Sequence, residues 1–269
     1  MSYINTEILI SVIIPCYNSE SFIIDALESV KAQSYSNLEI IIINDGSTDN
    51  TKDIVMGFIA SNARLNIILI DQLNKGVSAA RNAGLRAASG DWIALLDSDD
   101  KWLSKKLEKQ MAIVTSNPNV DFLGTNRNGE IFDQFIYKKI EALTQIYPRD
   151  LFYKMFFFTS TVIFKKEILN TIGYFDEKIS FCEDAKFFIQ ICRRYNCFLL
   201  KESLVIAGGG RADYLKNGLS GNLWKMQKGE LNNINEGFKT GLINIFEYVF
   251  IWAFSNIKYC RRLLLVVFS

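Results

Sequence analysis

The sequence predicts an α/β fold built on a doubly wound, mixed but mainly parallel sheet. Two patterns carry that prediction: four short runs rich in Ile and Val without the alternation of a half-exposed strand, and helical spacing in the segments between them. Size agrees, since 269 residues, 49% of them apolar, suffice to close a core over such a sheet. Strands are expected at Leu9 to Ile14, Leu38 to Ile43, Leu65 to Ile70 and Trp92 to Leu96, each buried on both faces. Helices are expected at Phe22 to Gln33, Thr51 to Ala60, Val77 to Ala88 and Leu103 to Thr115. Beyond Val120 the alternation weakens; Val162 to Phe164 and Phe198 to Ile206 read as further strands, and Asp184 to Tyr195 as a helix on the sheet. Ala207 to Asn222, with three glycines in a row from Gly208, reads as a mobile loop. A long helical region ending in an apolar tail follows.

Composition excludes several kinds of chemistry. With 30 Lys and Arg against 29 Asp and Glu, the net charge of +1 provides no global field for nucleic acid. The absence of histidine removes Ser-His-Asp and Cys-His nucleophile systems and histidine-ligated zinc, leaving proton transfer to a carboxylate, Lys, Tyr or Cys. Five cysteines (Cys16, Cys182, Cys192, Cys197, Cys260) at irregular spacing, with no C-x-x-C pair, argue against a disulfide framework and fit a reducing cytoplasm. The opening residues Met1 to Glu7 lack the basic start of a secretory signal, so no leader is expected there.

In doubly wound sheets ligands sit beyond the carboxyl ends of the strands. The turn after the first strand holds no glycine, so the dinucleotide-binding and P-loop cradles fail where they should stand. In their place is Pro15-Cys16-Tyr17-Asn18-Ser19-Glu20, read as a proline-fixed turn presenting an aromatic ring and a carboxylate. The second strand ends in Asn44-Asp45-Gly46-Ser47-Thr48-Asp49, which by itself is equally an N-capped turn or a functional loop. The fourth ends in Asp97-Ser98-Asp99-Asp100, and a cap explains one of those acids but not three. On an extended segment Asp97 and Asp99 would share a face, suiting a hard divalent cation that keeps waters and borrows phosphate oxygens.

Four motifs in order, V-I-I-P-C-Y-N, I-I-I-N-D-G-S-T-D-N-T, N-K-G-V-S-A-A-R-N-A-G and L-L-D-S-D-D, resemble the family 2 glycosyltransferases, inverting enzymes with the GT-A nucleotide-sugar fold. The resemblance covers roughly residues 8 to 200. It implies that Pro15, Tyr17 and Glu20 border the nucleoside and that Asp45 accepts a hydrogen bond from the N–H of a pyrimidine. It also implies that Lys75 and Arg81 lie near base and phosphates, Asp97 and Ser98 at the ribose and donor sugar, and Asp99 with Asp97 on Mn2+ or Mg2+ at the diphosphate. The donor it implies is a nucleotide-diphosphate sugar, a UDP-sugar favoured, with uridine or thymidine diphosphate as the nucleotide.

The same resemblance matches Gly173 to Glu177 and Cys182-Glu183-Asp184 to the signature that supplies the base. Asp184 would then deprotonate the acceptor hydroxyl with Glu183 beside it; without the upstream motifs the two acids would read as complementing the N-terminus of the helix that follows. No Q-x-x-R-W motif or histidine ligand is present, which speaks against a processive membrane enzyme. The expected division is a catalytic domain over 1–221, donor half about 1–124 and acceptor half about 125–221, and a helical region over 222–269.

The tail from Leu242 to Phe268 has no charge-free run longer than Tyr248 to Ile257, too short to span a bilayer. Projected as a helix, it places Glu247, Lys258, Arg261 and Arg262 on one face. It could lie in a bilayer interface with a basic face, or pack on the catalytic domain or a second subunit. The resulting expectation is an inverting transferase, peripheral on the cytoplasmic face of the inner membrane, acting on a glycan or lipid-linked acceptor in surface-polysaccharide synthesis. A metal-dependent nucleotidyltransferase or pyrophosphatase and a non-catalytic sugar-nucleotide-binding protein share the acid cluster and stay open.

Overall fold

The computed structural model describes residues 8–208 and 221–267. In chain order the first half comprises β1 (Ile10–Cys16), α1 (Ile23–Lys31), β2 (Leu38–Asp45), α2 (Thr51–Ser61), β3 (Asn66–Gln72), α3 (Val77–Ala87), β4 (Trp92–Leu95), β5 (Lys101–Trp102) and α4 (Lys106–Ser116). Then follow β6 (Phe122–Arg127), a small hairpin of β7 (Gln134–Phe135) and β8 (Lys138–Lys139), β9 (Leu143–Ile146), α5 (Pro148–Tyr153) and a 3₁₀ turn at Thr159–Thr161. The remainder is β10 (Ile163–Lys165), α6 (Ile168–Ile172), α7 (Glu183–Cys192), β11 (Cys197–Ile206), α8 (Leu223–Lys239) and α9 (Ile245–Val267). Most of the loop expected over Ala207 to Asn222 lies outside the described residues.

Among the described residues the central sheet has nine strands in the order β3-β2-β1-β4-β10-β6-β11-β5, with β9 paired to β11. β1, β2, β3, β4, β6 and β11 run in one direction and β5, β9 and β10 against it. β1 and β2 bury nearly every residue, as unbroken Ile-rich runs between two helical layers should. β3 differs from its expectation: it is the edge strand, and its residues alternate between exposed and half-buried because one side has no partner strand.

Sequence dictates how closely α3 approaches the sheet. A Cβ on Gly84 would stand 2.6 Å from Ile13 Cγ2 and 2.7 Å from Ile43 Cδ1, so only glycine fits between helix and strands there. Under the second half of the sheet Phe122, Phe157 and Phe188 interlock, with ring centroids 4.7 Å (Phe122–Phe157) and 5.4 Å (Phe122–Phe188) apart. Two acids of β2 are buried, Asp45 at its carboxyl end and Glu39 near its start. Burial pushes Glu39 up, but hydrogen bonds from Ser11 Oγ, Ser89 N, Ser89 Oγ and Gly90 N outweigh it and hold the carboxyl below its usual range.

α9 corrects the expected tail. Its polar stripe is turned inward: Lys258 bonds Glu230 of α8 at 2.9 Å, Arg262 approaches the same carboxylate at 3.6 Å, Ser255 meets Gln227 at 3.1 Å, and Glu247 pairs with Arg149. Phe246, Val249, Phe250, Trp252 and Ile257 face outward, with Phe246 83% exposed. Arg261 alone of the four expected charges stays exposed. No described helix is long and apolar enough to cross a membrane.

Candidate active site

The carboxyl ends of β1 to β4 bring their loops together because these strands are neighbours in the sheet. Pro15 does not fix the first turn. It is buried inside β1 opposite Ile43, and the chain turns at Asn18 in the left-handed conformation, φ +47°. Asn18 then joins the two motifs: its N–H donates to Ser47 Oγ at 3.0 Å and its Oδ1 accepts from Thr48 N at 2.8 Å. Tyr17 beside it is 49% exposed. Glu20 accepts from Asn50 N at 3.0 Å and so helps cap α2, while Asp49 caps Thr51 N at 3.0 Å.

Asp45 is buried and fastens the next loop. Its carboxylate accepts from Gln72 Nε2 at 2.7 Å, Lys75 N at 2.9 Å and Gly76 N at 2.9 Å, leaving the Lys75 side chain exposed. Gly46 permits the fit, since at φ +70° a Cβ would meet Asn74 N at 2.6 Å.

The acids after β4 do not share an extended face. Asp100 N bonds Asp97 O at 3.1 Å, so the four residues close a turn and the acids diverge. Asp97 pairs with Arg81, Ser98 Oγ meets Ser19 Oγ at 2.8 Å, and Asp99 is exposed. Asp100 faces inward, accepting from Ser160 Oγ at 2.5 Å and Gly208 N at 2.7 Å. Burial, then the charges of Asp97 and Asp99, push its carboxyl up to about 7. Burial is the larger cause, and the two neighbouring charges add to it. Carboxylate oxygens such as those of Asp97 and Asp99 are the hard donors that Mg2+ or Mn2+ takes together with phosphate and water. Among the described residues no group of three or more His, Cys, Asp or Glu could hold a metal by itself.

Arg81 is the centre of the arrangement. On α3, 4% exposed, it bonds Asp97 Oδ1 at 2.8 Å through one terminal nitrogen and Glu183 Oε1 at 2.7 Å through the other. Its Nε is buried without a hydrogen-bond partner. Glu183 is buried, and its carboxyl is raised by desolvation and by Asp184, with Arg81 opposing. Asp184 is half-buried at the head of α7; burial raises its carboxyl, while Arg81 and the N–H of Ala185, 2.7 Å away, pull it back. The next residue of α3, Asn82, anchors the upstream segment by exchanging bonds of 2.9 Å with Phe175 N and O and reaching Glu177 at 2.8 Å. A cavity of about 640 Å³ lies elsewhere, between the β7–β8 hairpin and α5, and is lined by Tyr137, Lys138, Tyr147 and Arg149 among others. The site is therefore defined by its charges and not by cavity size.

Sequence reasoning missed Asn18, Asn82, Asp100 as a fastener, and Ser160. Asn18 and Asn82 stand inside the quoted motifs, so a signal existed. Ser160, which binds both Asp97 N at 3.0 Å and Asp100, sits in Thr159–Thr161, a stretch without periodicity or charge.

The fold is shared with solved structures of GT-A transferases. S. aureus TarS in complex with UDP-GlcNAc has TM-score 0.67 at 22% identity, covering 94% of this chain and 72% of that one. The mannosyltransferase PcManGT from Pyrobaculum calidifontis, in complex with GDP-Man and Mn2+, has TM-score 0.66 at 19% identity over 85% and 63%. The sequence matches the model of Glycosyl transferase family 2 over residues 11–202, and the chain belongs to that family. An uncharacterized glycosyltransferase of Haemophilus influenzae is 30% identical over 93% of this chain and 98% of its own length. The Bacillus subtilis protein named as putative teichuronic acid biosynthesis glycosyltransferase TuaG is 38% identical over 52% of this chain. The Escherichia coli UDP-Glc:alpha-D-GlcNAc-diphosphoundecaprenol beta-1,3-glucosyltransferase WfgD is 39% identical over 48%. The chain spans about half the length of these last two, 56% and 51%.

Proposed function

We propose that the protein is an inverting glycosyltransferase that moves a sugar from a nucleotide-diphosphate donor, a UDP-sugar, to a glycan or lipid-linked acceptor in bacterial surface-polysaccharide synthesis. The observation that carries this reading is the Arg81 bridge, which joins the acid-rich end of β4 to the acids heading α7. A donor-side cluster and a candidate base held by one guanidinium suit a displacement that needs both at once. The names of TuaG and WfgD, and the donors bound by TarS and PcManGT, support the class of reaction.

On this reading Tyr17 offers its exposed ring to the base, with Pro15 beneath, Glu20 at the rim and Asp45 receiving the pyrimidine N–H with remaining lone pairs. Lys75 meets phosphate oxygens and buried Arg81 adds its positive charge beside them through the acids it holds, while Asp97 and Ser98 hold ribose and sugar. Asp99 and Asp97 would hold Mg2+ or Mn2+, which when bound offsets charge developing on the leaving diphosphate. Asp184 takes the acceptor proton as the hydroxyl attacks the anomeric carbon opposite the diphosphate. Burial raises its carboxyl, which favours taking up a proton, and it keeps partial access to solvent. Glu183 orients that end of the site through Arg81.

The catalytic part is 1–221, with the donor half to about 124, and 222–269 docks on the cytoplasmic face of the inner membrane. Support for docking comes from the outward apolar face of α9 and from the exposed charges of α8 and α9: Lys225, Lys228, Lys239 and Arg261 against Glu236. The test is calorimetric titration of UDP, dTDP and GDP with and without Mn2+, together with Asp99→Asn and Asp184→Asn. The reading expects UDP or dTDP to bind best and to depend on the cation. Asp99→Asn should weaken that binding, and Asp184→Asn should keep it while transfer falls about 10² to 10⁴-fold. GDP binding tightest, or an Asp184→Asn protein that keeps a tenth of its rate, overturns the respective assignment.

A further inference from the structure

The candidate base is held from outside the stretch that matches the family, which ends at residue 202. Cys182, immediately before Glu183, has φ +57° and ψ 28°, a left-handed backbone that a residue with a β-carbon keeps only when its surroundings impose it. Those surroundings are α8. Asn233 Nδ2 donates to Cys182 O at 3.1 Å, the same carbonyl that accepts Lys186 N at 3.2 Å in the first turn of α7. Cys182 Sγ donates to Met226 O at 3.4 Å. Gly229 lies so close that a Cβ there would meet Phe181 O at 2.7 Å and Cys182 Sγ at 3.1 Å.

Positions 226, 229 and 233 lie on one face of a helix, and 236 continues it, where Glu236 reaches Lys186 of α7 at 3.5 Å. Another face of α8 is fixed to α9 through Gln227 and Glu230. Cys182 and Glu183 are both buried, and the bonds between Cys182 and α8 are partly shielded from solvent. We infer that α8 is the positioning element of the site: Asn233, with Gly229 permitting the close approach, holds Cys182 in its left-handed conformation and thereby sets where Glu183 and Asp184 stand relative to Arg81. The α8–α9 pair thus acts on the chemistry as well as carrying the apolar face. The catalytic half of this inference rests on the proposed role of Asp184.

Two variants perturb the contact by different physics in the full-length protein. Asn233→Asp keeps size but replaces the donor with a carboxylate that repels the carbonyl; Gly229→Ala wedges α8 away from Phe181. Amide hydrogen exchange of the 181–185 segment should quicken about ten-fold in both, with α3 and the central strands unchanged. UDP release from a panel of UDP-glucose, UDP-galactose and UDP-N-acetylglucosamine should slow at least about ten-fold in kcat, with UDP affinity within about two-fold of wild type. In an Asp184→Asn background the same substitutions should slow release no further, because Asn233 acts only through that segment. Unchanged exchange overturns the clamp whatever the activity. Quickened exchange with unchanged kcat, or additive losses in the double variants, overturns the positioning role. Failure of the proposed function shows itself separately, as no UDP release by wild type or as an active Asp184→Asn protein, and the exchange measurement still decides the clamp.

Discussion

Replacing Arg81 with alanine tests the central charge network. The change removes a cation that is 4% exposed and leaves two acids without their partner. The Glu183 side chain is 9% exposed and stays desolvated, whereas Asp97, at 31%, regains part of its hydration. Breaking a buried pair by deleting one member costs about 3 to 5 kcal/mol, and the partial exposure of Asp97 argues for the lower end, about 3 kcal/mol. For a body of roughly 200 residues that lowers Tm by about 6 to 12 °C. The loss should also depend on pH. Glu183 and Asp184 already have raised carboxyls, and Arg81 is what opposes the rise in both. Without it they rise further, so the folded variant binds protons more readily than its unfolded chain. Its deficit is therefore largest above the folded-state values and shrinks as pH falls toward those of the unfolded acids. Scanning fluorimetry of wild type and Arg81→Ala from pH 8 to pH 5 reads both effects. A deficit under 2 °C, or one that stays constant across that range, refutes the reasoning. Arg81→Lys should lose less, because a single ammonium can keep one of the two carboxylates but not both.

Glu39→Gln should cost about 1 to 3 kcal/mol, since an amide presents N–H to a ring of donors. Because folding holds Glu39 below its usual range, its stabilisation is present above the unfolded value and lost as pH falls, so the variant's acid-denaturation curve should be the flatter. Gly84→Ala should cost about 1 to 3 kcal/mol in chemical denaturation by forcing α3 off Ile13 and Ile43, and an unchanged midpoint would show the helix free to shift. Replacing Phe246 and Ile257 with glutamate should abolish flotation with anionic vesicles; equal flotation, or a lipid-free dimer lost on substitution, would assign the α9 face to another contact.

The alternation of Ile-rich runs with helical segments made the β1–α4 half readable, because strands buried on both faces leave a continuous apolar signal. β6, β9 and α5 were not legible. β6 (Phe122–Arg127) contains Gly124, Thr125 and Asn126, polar or small residues that its position between β10 and β11 buries without any period-2 pattern. Side-chain roles within the motifs were harder still. An asparagine reads as a turn former, yet Asn18 and Asn82 work by hydrogen-bonding to segments about 30 and 90 residues away. Spacing put Asp97 and Asp99 on one extended face, but the turn that closes through Asp97 and Asp100 sends one acid to Arg81, one outward and one to Ser160.

The tail shows what a helical projection leaves undetermined. Spacing groups Glu247, Lys258 and Arg262 correctly, but it does not say which face turns inward, because that depends on the partner. α8 carries Glu230, whose carboxyl burial alone would raise; Lys258 and Arg262 more than compensate and keep it low. With those cations turned toward Glu230, Ile251 goes inward on the same side, and Phe246, Val249, Phe250, Trp252 and Ile257 are left pointing outward. Polar pairing between α8 and α9 and apolar exposure on α9 are therefore one event, and the same pairing fixes α8 against Cys182. A substitution at Glu230 should consequently be felt at both ends, at the outer surface and at the acids that head α7.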